Sequence, residues 1–199
     1  MEELKKEPVT AALILINAVI FLVVELTGGA DDTLHMIQWG ASYTPFVLGG
    51  EYYRIFTSMF LHFSAQHLCN NMLVLFVLGS RLERAAGKIR FLLIYLLGGM
   101  GGNLLSLFLE SKNHDFAVSA GASGAVFAVM GALICAVIKC KGKLEDLSAK
   151  QIVVMAAFSL YFGFTSAGVD NAAHVGGLIC GFILCLILYH PRKIRKVEP

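Results

Sequence analysis

Residues 119–138 read SAGASGAVFAVMGALICAVI. From Ala125 onward the run is apolar enough to enter a bilayer, and Ser123, flanked by Gly121 and Gly124, stands at its mouth. Polar groups are expensive in hydrocarbon, so a hydroxyl at that place calls for a partner. Finding the partner requires the rest of the chain to be laid out in the membrane.

Composition places it there. The chain has 199 residues, 57% of them hydrophobic and 15% charged, and a mean hydropathy of +0.71. Soluble domains carry roughly 25% charged residues. An all-α integral membrane protein is expected, with six spans near 8–26, 65–79, 91–109, 121–138, 150–166 and 171–190 in one domain over 1–199. The first apolar run exceeds a signal peptide's hydrophobic region and reads as a retained anchor. A net charge of +2 gives no basic surface for nucleic acid. The five cysteines form no CxxC pair and read as small buried hydrophobes; no HExxH is present, and His62 and His67, five apart, would diverge on a helix. Neither a metal nor a cofactor is expected.

All Lys and Arg except Arg54 and Lys112 fall before span one, between spans two and three, between four and five, or after six. That side is expected to be cytoplasmic, with both termini on it. The link over 27–63 is long and aromatic (Trp39, Tyr43, Phe46, Tyr52, Tyr53, Phe56), which suits the outer headgroup level.

With this topology, spans two, four and six all start at the outer face, and each has polar residues near its start: His67, Asn70 and Asn71; Ser123; His174. Three distant segments thus deliver polar side chains to one depth. Small residues four apart (Ala120, Gly124, Ala128, Ala132 and Ala173, Gly177, Gly181, Cys185) let spans four and six approach closely. Gly98–Gly102, GGMGG, reads as a similar contact in span three. If the stripes meet, Ser123 can reach His174, a base suited to activate a serine near neutral pH. Asp170, one turn before His174, reads as a helix-start residue, leaving a dyad. His67 and Asn71, four apart on one face, and the Ser123 N–H can stabilise an oxyanion; Asn70 competes with Asn71 on spacing alone. Phe127 can lie against the His174 ring. Arg81 and Glu83 read as structural.

These residues resemble the rhomboid family of intramembrane serine proteases. Gly121-Ala122-Ser123-Gly124 is similar to its GxSG motif, Ala173-His174…Gly177…Gly181 to its AHxxGxxxG, His62…His67…Asn71 to its HxxxxHxxxN, and Gly79…Glu83…Gly87 to its GxxxExxxG. The similarity runs from about residue 40 to 190 and resembles the minimal bacterial six-helix form. It implies Ser123 as nucleophile, His174 as general base, His67 and Asn71 as oxyanion donors, and His62 as structural. It also implies single-pass transmembrane substrates that enter laterally past span five and unwind locally, with the active site on the outer side of a bacterial plasma membrane. Tyr53-Arg54 stands where the family has Trp-Arg, and Phe127 where tyrosine is frequent. The alternative is a non-catalytic member that binds membrane clients, a type that lacks the serine or the histidine. A solute transporter would instead place polar groups at mid-depth in two similar halves.

Overall fold

The computed structural model describes residues 7–166 and 168–191. Of the basic residues used for orientation, Lys5, Lys6, Arg192, Lys193, Arg195 and Lys196 lie outside them. The main helices are α1 (Pro8–Thr27), a segment of α5 (Ala65–Val74), one π turn (Leu75–Gly79) and α6 (Ser80–Ala86), then α7 (Lys88–Asn113), α8 (Ser123–Lys139), α9 (Ala149–Thr165) and α10 (Asn171–Leu188). Each overlaps an expected span. The protein is a polytopic, all-helical membrane bundle.

α1, α7 and α10 are long and apolar enough to cross a membrane on length and composition alone, whereas α8 and α9 are shorter. At 1.5 Å per residue, a 17-residue helix covers about 26 Å, slightly less than a hydrocarbon core. Outward-facing Leu15, Val19, Phe158, Tyr161, Phe164, Ile183 and Ile187 are exposed, as lipid contact requires.

The link after α1 is built, not loose. It holds α2 (Thr33–Gln38), strand β1 (Ser42–Tyr43), α3 (Thr44–Leu48), α4 (Arg54–Thr57) and a 3-10 turn at Ser58–Phe60. Val24, Ala30, Met36, Ala41 and Leu61 form a small core beneath it. Trp39, Phe46, Tyr52 and Tyr53 stay exposed. Arg54 is buried: it donates to the carbonyls of Ile37 and Ala41 at 2.7 and 2.9 Å and pairs with Glu51. β1 pairs antiparallel with β2 (Val118–Ser119), so this link braces the segment leading into α8.

The centre of the bundle is α7, α8 and α10, packed backbone to backbone. A methyl group on Gly177 would lie 2.1 Å from Gly124 O, on Gly181 1.9 Å from Ala128 O, on Gly131 2.0 Å from Leu178 O, and on Gly102 2.4 Å from Ala173 O. No side chain fits there, and van der Waals contact between bare backbones is what joins helices in lipid. Gly98 abuts the Ala128 methyl, and Gly99 the ends of Met59 and Ala125, so these two contacts are backbone against small or flexible side chains. Ala120, counted in the sequence stripe, precedes α8 and is not part of the helix.

At the end opposite the start of α8, buried Glu83 accepts from Val9 N, Thr10 N and Thr10 Oγ1 at 3.0, 2.8 and 2.7 Å. It thereby meets the free N–H groups of the first turn of α1, where a carboxylate also suits the helix dipole. Lys139 donates to the carbonyls of Leu186 and Tyr189 at 2.7 and 2.8 Å and does the same for the end of α10. α8 and α9 are joined by a hairpin, β3 (Lys143–Leu144) with β4 (Leu147–Ser148), and Ser148 and Gln151 form a capping box that starts α9. All five cysteines are free; Cys135 and Cys185 are buried, but Cys69 is exposed on α5, unlike the sequence expectation. It stands on the outward face because Leu68 and Met72 take the inward one.

Candidate active site

Ser123 is the first residue of α8 and His174 lies one turn into α10. The Gly124–Gly177 and Ala128–Gly181 contacts hold the two helices so close that Ser123 Oγ and His174 Nε2 are 2.8 Å apart. Phe127 stacks on the imidazole, with centroids 4.4 Å apart and planes 13° from parallel. This fixes the ring's tilt while its edge addresses the hydroxyl. His174 is buried, and its Nδ1 has no hydrogen-bond partner among the described residues.

Gly121 has φ of +150°, a conformation L side chains rarely adopt, and a Cβ there would lie 2.9 Å from the His67 ring. The imidazole of His67 therefore lies against the backbone just before Ser123. Gly121 N donates to Ser58 O at 2.9 Å, and Ala122 N donates to His62 Nε2 at 3.4 Å. His62 precedes α5 and is not on it, so the helical divergence expected for His62 and His67 does not apply; their rings meet edge to face at 5.0 Å. Ser64 caps α5 by accepting from His67 N at 3.1 Å. Asn71 is buried and donates to His67 O at 3.2 Å, whereas Asn70 is exposed. Burial thus separates two asparagines that spacing leaves equivalent.

Asp170 caps α10: its Oδ1 accepts from Ala173 N at 2.8 Å. Its Oδ2 accepts from Ser106 Oγ at 2.7 Å and Ser119 Oγ at 2.9 Å. Asn103 was also missed in the sequence; its amide donates to Ile55 O at 2.8 Å and Ser58 Oγ at 3.1 Å, tying α7 to the segment that receives Gly121. Its only sequence signal is a polar residue within an apolar run. Asn17, fully buried in α1, was missed in the same way.

Ser123, His174, His67, Asn71, Asn103 and Asp170 line one cleft of about 1160 Å³, which His62 and Asn17 do not line. Its walls include His67, Asn70, Asn71 and Val74 from α5, Ser123, Phe127 and Met130 from α8, Ser159, Phe162 and Gly163 from α9, and His174 from α10. Polar and apolar side chains thus converge on one cavity.

Fold and site together define a polytopic helical membrane protein with a serine and a histidine in contact inside a cleft. The rhomboid domain model matches residues 49–191. The chain is 34% identical over 187 residues to rhomboid protease GluP of Bacillus subtilis, aligning 94% of this chain with 36% of that protein. It is 32% identical to rhomboid protease AarA of Providencia stuartii, over 94% of this chain and 74% of that one. With putative rhomboid protease YdcA of Bacillus subtilis it shares 29% identity, over 94% and 92%. The chain belongs to the rhomboid family. It spans about a third of the length of GluP, and most of AarA and YdcA.

Proposed function

We propose that this protein is an intramembrane serine endopeptidase, a single rhomboid-like domain that cleaves peptide bonds in or beside transmembrane segments by a Ser123–His174 dyad. The observation that carries this reading is the 2.8 Å contact between Ser123 Oγ and His174 Nε2 at the floor of a cleft. The names of the relatives above, rhomboid proteases, point the same way.

In this reading His174 Nε2 takes the hydroxyl proton as Ser123 Oγ attacks the scissile carbonyl, making a tetrahedral intermediate. The negative charge falls to the Ser123 N–H, unpaired at a helix start, with His67 and Asn71 beside it. His174 then gives the proton to the departing amine, and water, activated by the same imidazole, releases the acyl group. Gly121 leaves room for the His67 ring beside the hydroxyl, and Gly124, Gly177 and Gly181 let the helices close on each other. Phe127 and His62 position the imidazole and the loop before the nucleophile. No cofactor enters any step.

Asn70 and Val74 of α5 and Ser159 and Phe162 of α9 line the cleft, and in this reading the side between those two helices opens to the bilayer. A single-pass transmembrane protein entering there would bring its backbone to the dyad after local unwinding. The charge pattern supports a reading with both termini in the cytoplasm and the dyad toward the outer face, and the bacterial relatives support a bacterial plasma membrane.

The test is labelling and cleavage by purified protein in lipid vesicles. A fluorophosphonate is expected to modify Ser123. Ser123→Ala and His174→Ala should lose labelling, and cleavage of a model transmembrane substrate should fall about 10⁴-fold or more. Undiminished cleavage by Ser123→Ala ends the proposal.

A further inference from the structure

We infer that Asp170 is a positioning residue for the dyad: its carboxylate fastens the serine-bearing loop and the histidine-bearing helix to one point on α7. The inference rests on the proposed dyad and concerns how its two members are kept in register.

As a helix cap, Asp170 needs only one carboxylate oxygen, and Oδ1 serves Ala173 N at 2.8 Å. The other oxygen is taken by two hydroxyls from different parts of the fold. Ser106 on α7 donates at 2.7 Å, and Ser119, in the strand four residues before Ser123, donates at 2.9 Å. The backbone carbonyl of Asp170 also accepts from His174 N at 3.2 Å. One residue therefore contacts the strand that leads into the helix of Ser123, the helix that carries His174, and the helix packed on α10. Ser106 is buried and Asp170 half-buried, so water competes weakly for these bonds. Among the described residues the His174 Nδ1 has no acceptor for its hydrogen, so the carboxylate acts by geometry and not as a third member of a relay. The glycine contacts fix the separation of α8 and α10, and β1, Ser58 and His62 brace the segment before Ser123 against the link after α1. The Ser119–Asp170 bond adds a tie from that segment to α10, and through Ser106 to α7.

The informative variant is the double substitution Ser106→Ala and Ser119→Ala, which keeps the α10 cap and loses both bridges. In the full chain in lipid vesicles, kcat and the rate constant for fluorophosphonate labelling of Ser123 are expected to fall together by about tenfold, with KM for a transmembrane substrate changed by less than about twofold. Asp170→Asn keeps the shape, an acceptor for Ala173 N, and an amide that the hydroxyls can accept from; its rates should lie between those of the double variant and wild type. Wild-type labelling rate and kcat in the double variant would overturn the inference. So would a loss confined to the yield of folded protein, with normal turnover per labelled site. Both results leave the dyad reading standing, because that reading depends on Ser123→Ala alone.

Discussion

α8 and α9 are both 17-residue apolar helices joined by one hairpin, yet the bundle treats them in opposite ways. α8 is buried along almost its whole length, from Gly124 to Val137. α9 buries only Ile152, Ala156 and Gly163, and turns Val153, Phe158, Tyr161 and Phe164 outward. The difference is one of residue size. α8 offers glycine and alanine, so α7 and α10 close on it; α9 offers large side chains on every side, which lipid accommodates as readily as protein does. In a membrane, apolarity does not decide which helix is central, because lipid is as apolar as leucine; backbone access does. The helix that carries the proposed nucleophile is the one packed along most of its length, and α9, which also lines the cleft, is held at few points. Local stability should follow the same division.

Adding one methyl group to each helix contact breaks or sharpens this contrast most strongly. In Gly181→Ala the new Cβ would lie 1.9 Å from Ala128 O and 2.5 Å from its carbonyl carbon and Cα, all of them backbone. The α8–α10 pair must part, at a cost of about 3 kcal/mol or more, and the dyad parts with it. In Gly163→Ala, on α9, the nearest atom is Asn171 Oδ1 at 2.3 Å, the end of a side chain that can rotate away. There the expected cost is under about 1 kcal/mol. Thermal unfolding of both variants in one detergent, with fluorophosphonate labelling, measures the difference; equal losses would mean that α9 is as rigidly held as α8.

Much of this contrast was legible beforehand, and the reason is periodicity. Residues repeating every four positions announce which face of a helix is bare, and the stripes through Gly124 and Gly177 announced theirs. Polar residues near three helix starts announced a common depth. Partners across long gaps carried no such signal. Nothing around Glu83 says that it caps a helix 73 residues earlier, and nothing around Asp170 names Ser106 or Ser119, because each bond involves a single residue and a fold not yet assembled. The π turn at Leu75–Gly79 was also hidden, because it lies in an unbroken apolar run. The aromatic link showed its membrane-facing rings in composition, but not the buried Arg54 that organises them.

A second pair of substitutions removes the same atoms from the two helices. Phe127 on α8 is 4% exposed and stacked on His174, whereas Phe158 on α9 is 60% exposed. Phe127→Ala should cost about 3 kcal/mol and leave the imidazole free to tilt, lowering kcat more than it alters KM. Phe158→Ala exchanges contact with lipid for contact with lipid, so its effect should stay within about 0.5 kcal/mol, with unchanged cleavage. A large stability loss at Phe158 would show that α9 has protein neighbours beyond those described.

The smallest effect concerns the base of α9, where the hairpin is tied down by charge. Arg81 binds Asp146 through two bonds of 3.1 and 3.0 Å, and Arg84 binds Glu145 through two of 2.8 Å while also reaching Glu7. The Arg84 hydrogen bonds hold the Glu145 carboxyl below its ordinary 4.5, and those of Arg81 hold Asp146 below 3.8. A carboxyl with a lowered folded pKa adds stability above its ordinary pKa and loses it as pH falls through the lower, folded value. The tie should therefore be intact at neutral pH and weaken below about pH 4. Because the pairs are largely exposed, the expected change is only about threefold in hydrogen exchange over residues 143–149, and high salt should mimic it. Arg81→Gln with Arg84→Gln should exchange at the faster rate at both pH values. If the double variant still responds to acid, the ion pairs are not what anchors the hairpin, and the hold on α9 comes from its capping box and from Leu147 and Ile152 instead. α9 would then be fastened by apolar contacts at its base, as α8 is along its length, and the contrast between the two helices would narrow to their cleft-facing halves.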